Sequence, residues 1–223
     1  MNKAKTIVLL ISMTSSLVYA ETSSSAAPYV GVDLKNLPCN SNPKGYGPFD
    51  YSKRHLLKSY DLEIVESNHF TPKVENMIEG ESGTLEGDID YTLRAWPNHH
   101  RALMTAIRMQ ILSNKKVRPV KLMTPPECYL QRAIHFSPHD PAPYSLFGYY
   151  LVNVDKPEEA ERYYKKAVTL APDNSKTNYS YADYLTNMKR YAEALEYAKK
   201  AYQLGKPPQT LKNKLIKLGA WND

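Results

Sequence analysis

The stretch that decides the fold is residues 141–174, PAPYSLFGYYLVNVDKPEEAERYYKKAVTLAPDN. Its pattern predicts two helices, near 142–153 and 157–171, joined by a short break. Gly148 in the first helix and Ala160 in the second are small, so the two helices can approach closely where these residues face each other. The segment therefore predicts a tightly packed helical hairpin.

Several positions of this hairpin recur at a spacing of 34 residues elsewhere in the chain. The recurring sets are Ala133, Ala167 and Ala201; Ala160 and Ala194; Pro138 and Pro172; Gly148 and Ala182; and Leu151 and Leu185. A period of this length is typical of stacked helical hairpins, in which each unit buries an apolar face against its neighbour. Further helices are predicted near 88–96, 99–113, 126–136, 176–188, 191–204 and 208–218.

Residues 141–174 resemble a tetratricopeptide repeat. The motif positions of that family are occupied here by Tyr144, Phe147, Gly148, Leu151, Ala160, Tyr164, Ala167 and Pro172. Residues 175–208 resemble a second copy. This copy departs from the motif in having Asn178 at the usual aromatic place and Gly205-Lys206 where the closing proline belongs.

Two flanking regions extend the resemblance. Residues 98–140 resemble a degenerate copy that is interrupted by an insertion at 114–126, and residues 209–218 resemble the helix that caps such arrays. The segments GPFDY (47–51) and DYTLRAWPNHHRAL (90–103) are together similar to exported proteobacterial repeat proteins of uncharacterised role. The resemblance implies an all-α superhelix of about three hairpins with a C-terminal capping helix, preceded by a mostly irregular N-terminal extension.

The resemblance also implies a function, which is to bind a protein or peptide in a groove lined by the first helix of each hairpin. The groove positions of the two clear repeats are Ser145, Tyr149, Val152 and Asn153 in one, and Lys176, Tyr179, Asp183 and Asn187 in the next. Tyrosine rings supply contact area at a low entropic cost, and amide side chains bind an extended backbone. We therefore expect an adaptor or assembly factor.

Two alternatives concern the same groove: it is occupied by the protein's own acidic N-terminal segment, or it is merely solvated. Some proteins of the family bind a C-terminal carboxylate with Lys and Asn at fixed positions. Ser145, Tyr149 and Ser180 stand at three of those positions here, which argues against such a carboxylate clamp.

The first twenty residues predict a signal peptide. Lys3 and Lys5 give a positive start, residues 6–13 form a short apolar core, and Val18-Tyr19-Ala20 supplies small residues at a suitable spacing for cleavage. An uncleaved membrane anchor is the alternative, but the apolar run is shorter than the roughly 20 residues that span a bilayer. We expect cleavage near Ala20 and a periplasmic or secreted protein.

Residues 21–87 predict a largely irregular N-terminal extension, and residues 88–223 predict the helical domain. Within the extension, alternating apolar and charged residues at 61–70 favour a short strand. Thr71-Pro72 then predicts a helix with Thr71 as its cap, which ends at Gly80.

Charge is distributed unevenly along the chain, whose formal net charge is +6. Residues 61–90 hold nine acidic side chains and one lysine, whereas residues 91–223 hold 21 basic and 11 acidic side chains. Two interpretations remain open: the acidic segment docks on the basic array within one molecule, or both are solvated surfaces. The modest net charge of a predicted exported protein does not indicate nucleic-acid binding.

The chain has two cysteines, Cys39 and Cys128, and therefore one possible intramolecular pairing. In an oxidising compartment this pair predicts a disulfide that ties the extension to the helical array. Two free thiols, one of them buried, are the alternative.

No sequence motif of nucleophilic, metalloprotease or phosphate-binding sites occurs, so we expect no catalytic residues and no cofactor. His99 and His100, with Asp88 and Asp90 nearby, are weak metal-ligand candidates because adjacent helical residues point about 100° apart. We expect instead that the two histidines form the first turn of a helix capped by Asn98, and that no metal binds.

The insertion carries four basic residues between positions 115 and 121, namely Lys115, Lys116, Arg118 and Lys121. This loop is where we expect any membrane contact, as peripheral attraction to an anionic surface.

Overall fold

The computed structural model describes residues 27–119 and 121–221, and the predicted signal peptide lies outside these residues. Within the described residues the chain is helical and forms no strand, apart from one isolated bridge between Val32 and Pro38. The helices are α1 Ser59–His69, α2 Pro72–Glu75, α3 Leu85–Ala95, α4 His100–Asn114, α5 Pro126–Phe136, α6 Pro141–Asn153, α7 Pro157–Leu170, α8 Ser175–Asn187, α9 Tyr191–Leu204 and α10 Thr210–Lys217. A short 3-10 helix, Tyr51–Leu56, precedes α1.

Consecutive helices pack as hairpins, and this confirms the predicted fold class. The most extensive packing joins α6 to α7 and α8 to α9, while α4, α6 and α8 also contact one another in sequence. Helix α10 covers the end of the array by packing on α8 and α9. The first helices of successive hairpins are thus neighbours, as in a superhelix built from a repeated unit.

Close approach within the first clear hairpin depends on Gly148. A methyl group added at Gly148 would lie 2.7 to 2.9 Å from three atoms of the Tyr164 ring. At the equivalent places of the next hairpin stand Ala182 and Ala198, and both are fully buried. One hairpin therefore pairs glycine with a large ring and the other pairs two alanines, which is a different solution to the same packing problem.

Asn178, which departs from the aromatic motif position, has a clear structural role. Its amide donates a hydrogen bond to the Pro172 carbonyl at 2.7 Å and another to the Asn174 carbonyl at 2.8 Å. One repeat earlier, the Tyr144 hydroxyl donates to the Pro138 carbonyl at 3.1 Å. The two side chains thus close equivalent turns with the same kind of hydrogen bond.

The first helix of each of the three hairpins begins with a side-chain cap. His99, Asp140 and Asn174 each accept a backbone N–H of the first turn of α4, α6 and α8, at 3.1, 3.1 and 2.9 Å. The prediction that Asn98 caps α4 was wrong by one residue. Asn98 is buried and its amide donates instead to Asp50 and Asp140, so the imidazole of the next residue caps the helix.

The expectation of a strand at 61–70 was also wrong, because these residues form α1. Val65 is buried against Trp96, and Leu62 packs beside them, so tertiary contacts at helical spacing prevail over a short alternation. Helix α2 ends at Glu75 rather than at Gly80, since the chain turns at Met77, whose φ is 58°.

Thr71 does not use its side chain as the predicted cap of α2. Its hydroxyl donates instead to Glu81 Oε2 at 2.9 Å, across the loop that follows the helix. The hydrogen bond ties the two ends of this segment together, so the hydroxyl stabilises the loop rather than the first turn.

The extension shares its core with the array. Phe70, Val74 and Met77 belong to the main apolar core, and Tyr51 and Val65 form a second cluster around the buried Trp96. The contacts of α1 and α2 fall mainly on α3 and α4. The extension is therefore packed on the first end of the array.

A disulfide joins Cys39 to Cys128 in α5, with 5.5 Å between the two Cα atoms, as the cysteine count predicted. The residues around Cys39, from 27 to 41, form a strap that follows α5. Gln131 donates to the Val32 carbonyl at 2.8 Å, and buried Arg132 donates to the Ala27 carbonyl at 2.7 Å. The strap is thus held by the disulfide and by hydrogen bonds from one helix.

Candidate functional site

A cavity of about 590 Å³ lies between the first halves of α4, α6 and α8. We call it the groove. Its array-side lining comprises His100, Arg101, Met104, Thr105, Arg108, Asp140, Pro141, Ala142, Ser145, Leu146, Asn174, Lys176, Thr177 and Ser180. The three helices begin at equivalent caps, so their first turns lie side by side and create one continuous surface.

One wall of the groove comes from the extension, through Ser52, Arg54 and Glu75. The wall is fixed at its base because the Tyr51 backbone N–H donates to Asn98 Oδ1 at 2.8 Å. The Tyr51 ring also packs against His99 and His100, with ring centres 4.3 and 4.9 Å apart. The extension therefore contributes part of the groove lining.

The groove's acidic groups are paired within the protein. Glu75 accepts hydrogen bonds from Arg101 on both carboxylate oxygens, the Nε contact being 2.8 Å. These bonds hold the pKa of Glu75 below its usual value. Asp140 Oδ2 lies 2.7 Å from His100 Nε2 and accepts from Asn98 at 2.8 Å. Both carboxylates thus have hydrogen-bond partners within the protein.

Two basic residues of the groove have no such partner. Arg108 and Lys176 are exposed, and among the described residues neither forms an ion pair. Arg54 is also exposed, and its guanidinium lies 4.4 Å from the centre of the Tyr51 ring. The groove therefore has a net positive lining.

The structure places the predicted groove residues of α6 unevenly. Ser145 lines the groove, and Tyr149 is 38% exposed further along the helix. Val152 and Asn153 are half-buried, and the Asn153 amide donates to the Tyr149 carbonyl at 2.9 Å. An intrahelical bond thus uses one of the amide donors that we expected to bind a partner.

The predicted residues of α8 divide between the groove and the capping helix. Lys176 lines the groove. Further along, the Tyr179 hydroxyl lies 2.8 Å from the Thr210 hydroxyl, and Asn187 accepts from Lys214 at 2.5 Å. Asp183, between them, accepts a longer hydrogen bond from the Asn187 amide at 3.5 Å. The second half of α8 therefore contacts α10 rather than an open cavity.

Comparison with known families agrees with this geometry. A family model for the tetratricopeptide repeat matches residues 142–174, which cover α6 from its second residue, α7 and the turn before α8.

This chain contains a tetratricopeptide repeat.

None of the curated proteins with which it was compared matches it. Tetratricopeptide repeats are protein-interaction modules and are typically not catalytic. The repeat array therefore supports a general role in binding a protein or peptide partner.

Sequence reasoning missed the contribution of α4 to the groove of this repeat protein. Arg101, Met104, Thr105 and Arg108 line it at a spacing of one helical face. That spacing was visible in the sequence, but the degenerate first repeat carried no motif to align it with the others. The wall residues could not be found in this way, because they meet the array only through tertiary packing.

The acidic segment meets the array at a few points. Glu66 and Glu75 contact Arg101 of α4, and Glu66 also accepts a hydrogen bond from His99 at 2.9 Å. Asp88, by contrast, is buried and accepts the backbone N–H of Glu81 at 2.6 Å within the extension's own loop. The segment is therefore partly docked on the repeat array and partly folded on itself.

Histidines and acidic residues do not gather into a metal site in the part of the chain that the structure describes. His99 is buried, with Nδ1 accepting the cap bond of α4 and Nε2 directed at Glu66. His100 faces Asp140 instead. The two rings are therefore used by separate structural contacts.

None of the described helices is long and apolar enough to cross a membrane.

In the insertion, Arg118 is held by the main chain, since its guanidinium donates to the carbonyls of Met77 and Ile78. Lys115, Lys116 and Lys121 are exposed. The disulfide is compatible with an oxidising compartment.

Proposed function

We propose that this protein is a non-enzymatic adaptor or assembly factor of the bacterial cell envelope that binds a partner segment in the groove. The observation that carries the proposal is the groove itself, which spans three first helices and has the volume of an ordinary ligand site. An extended peptide laid across these helices would contact polar side chains such as Lys176 and Ser180 and the apolar Met104 and Leu146.

The envelope location is part of the same proposal. It is supported by the predicted leader and by the disulfide, which persists in oxidising compartments. Mass spectrometry of the mature protein tests it, with a chain beginning at Glu21 and recovery in the periplasmic or extracellular fraction as the expected result. A full-length chain in the cytoplasm would contradict it.

Site-specific photo-crosslinking tests the groove. A photoreactive residue placed at Ser145 is expected to crosslink one partner segment, whereas the same residue at Lys166, which is exposed on α7, is expected not to. The mapped segment, prepared as a peptide, is expected to bind the purified protein and to lose binding on Ser180→Arg, which fills the groove. Equal crosslinking from both positions, or binding insensitive to Ser180→Arg, would contradict the groove as the binding site.

A second candidate function is that of a structural accessory subunit whose groove is occupied by its own acidic N-terminal segment. The contacts of Glu66 and Glu75 with Arg101 favour it, because they already bring acidic residues of the extension to the edge of α4. The same crosslinker decides between the two functions. An intramolecular crosslink from Ser145 to the extension would support the accessory role.

A further inference from the structure

The groove combines cations from the extension and from the array. We propose that it selects an extended partner segment rich in aspartate and glutamate, whose side-chain carboxylates bind Arg54, Arg108 and Lys176. This inference rests on the proposed function and specifies its ligand class. It differs from recognition of a chain terminus, since it needs several acidic side chains spaced along a segment rather than one terminal carboxylate.

Charge complementarity is the first argument. Both acidic residues of the lining are already satisfied, Glu75 by Arg101 and Asp140 by His100 and Asn98. Because Arg101 offsets the charge of Glu75, an incoming carboxylate meets little repulsion from that residue. Exposed cations in a recess attract anionic segments and raise the association rate, most strongly at low ionic strength.

The positions of the cations are the second argument. Arg54 lies on the extension wall, Arg108 on α4 and Lys176 at the start of α8, so the three bases border one cavity from three directions. A single carboxylate does not require contacts with all three basic residues. A chain that crosses the cavity can place successive acidic side chains against each of them.

Pre-organisation of Arg54 is the third argument. Its Nη1 donates to the Tyr51 carbonyl at 2.9 Å while its guanidinium lies over the Tyr51 ring. Tyr51 is in turn fixed by Asn98 and packs against Trp96. A guanidinium whose orientation is restricted before binding loses less conformational entropy when it binds a carboxylate.

The geometry also explains why a terminal carboxylate is the weaker candidate. Ser145 and Ser180, which line the centre of the groove, bear no charge, and Tyr149 lies beyond the cavity lining. The cations are placed around the cavity instead. Their arrangement matches distributed acidic side chains better than a point charge at a chain end.

Fluorescence anisotropy with defined peptides tests the inference. The probe is a labelled 12-residue peptide of alternating Glu and Ser with an amidated C-terminus, and the reference is the same peptide with Gln in place of Glu. We expect wild-type protein to bind the Glu peptide at least about tenfold more tightly than the Gln peptide, with the difference decreasing as salt is added. Equal affinity for both peptides would overturn the proposal.

Charge reversal at the cations is the second arm. Arg108→Glu with Lys176→Glu is expected to weaken binding of the Glu peptide at least about tenfold. The matched control is Lys35→Glu with Lys166→Glu, which changes the net charge equally at exposed positions outside the groove lining and is expected to have little effect. Equal losses in the two double variants would show a general charge effect and would contradict a specific site.

Arg54→Ala examines the extension wall, with Lys53→Ala as the neighbouring control that does not line the groove. We expect a several-fold loss of binding only for Arg54→Ala. Thermal unfolding should be nearly unchanged in the charge-reversal variants because their side chains are exposed, and a small decrease is expected for Arg54→Ala, which loses its contacts with Tyr51. A short DNA oligonucleotide serves as a third probe, and binding as tight as that of the Glu peptide would contradict selection of an acidic protein segment.

The photo-crosslinker at Ser145 distinguishes failure of the acidic preference from failure of the groove function. If a partner segment crosslinks there but contains few acidic residues, or is unaffected by Arg108→Glu with Lys176→Glu, the acidic preference fails and the groove function stands. If no partner segment crosslinks there, the groove function itself fails.

Discussion

Gly148 faces the Tyr164 ring across the first clear hairpin, and the fit leaves no room for a methyl group. We expect Gly148→Ala to destabilise the protein by about 1–3 kcal/mol, because overpacking exceeds the gain of about 1 kcal/mol in helix propensity. Chemical denaturation measures the change.

Ala182→Gly is the control, since it alters the equivalent position of the next hairpin without adding volume. It should cost about 1 kcal/mol through helix propensity, together with a small loss of buried contact. A stabilised Gly148→Ala variant would show that the ring moves aside at little cost.

His99 is another residue whose surroundings determine its properties. Its side chain is fully buried, and burial lowers its pKa, although the hydrogen bond to Glu66 opposes this effect. Because Nδ1 accepts the Ala102 N–H, Nε2 must carry the proton that is donated to Glu66. The neutral ring is therefore the form that the folded protein uses.

The stability of the protein should consequently decrease in mild acid. Because the pKa of His99 is lower in the folded protein, the unfolded chain takes up a proton that the folded chain excludes. The free energy of unfolding is therefore unaffected by His99 above about pH 6.5 and decreases as the pH falls below that value. Denaturation curves between pH 5 and pH 8 measure this slope.

His99→Asn should remove that part of the slope, since Asn can cap a helix but does not titrate. It should also lower stability at pH 7, because Glu66 loses a donor. His139→Gln, at an exposed histidine, serves as the control. An unchanged slope in His99→Asn would contradict the assignment of the acid sensitivity to His99.

At the scale of elements, helix starts show how much of the fold follows from sequence. Asn174 caps α8 by accepting two backbone N–H groups, at 2.9 and 3.2 Å, and its own side chain is exposed. Asn174→Ala should therefore cost about 1 kcal/mol, measured by thermal or chemical denaturation. Asn174→Asp should retain the cap and stay close to wild type. An equal loss in both variants would mean that the cap contributes little.

The array could be predicted well from sequence, whereas the extension could not. Residues 157–170 form α7 because Ala160 and Ala167 recur with the repeat, which is local information present in the chain. Residues 59–69 form a helix because Val65 meets Trp96 of another segment, which no local pattern reports. Propensity and period determine elements only where packing agrees with them.

The candidate site divides in the same way. Lys176 and Ser145 could be identified from the repeat positions, and both line the groove. Arg54 could not, because it comes from a distant segment that is positioned by Tyr51 and Asn98. The contact of Tyr179 with the capping helix could not be predicted from the motif either. The motif describes a repeat that packs against another repeat, whereas Tyr179 contacts α10.

At the scale of the whole molecule, the disulfide links the strap to α5 across 89 residues. Chain-entropy arguments assign such a closure roughly 4–5 kcal/mol, and measured losses on removing a disulfide are typically about 2–4 kcal/mol. We expect Cys39→Ser with Cys128→Ser to lower the free energy of unfolding within the measured range. Denaturation of the oxidised protein, the reduced protein and the variant makes the comparison.

The repeat array itself should stay folded in that variant, because α6 to α10 pack extensively on one another. Circular dichroism should therefore show nearly unchanged helix content. Loss of most of the helical signal would indicate that the strap is required for the array to form. Free thiols at both positions in the mature, non-reduced protein would contradict the disulfide itself.

The composite wall of the groove has a consequence for the timing of partner binding. The residues that surround the cavity extend from Ser52 to Ser180, and Arg54 is oriented only once Asn98 supports Tyr51. A chain that is still being synthesised thus has no complete binding surface until α8 has emerged. Newly made molecules should remain unoccupied during synthesis, and a partner should engage only the finished chain.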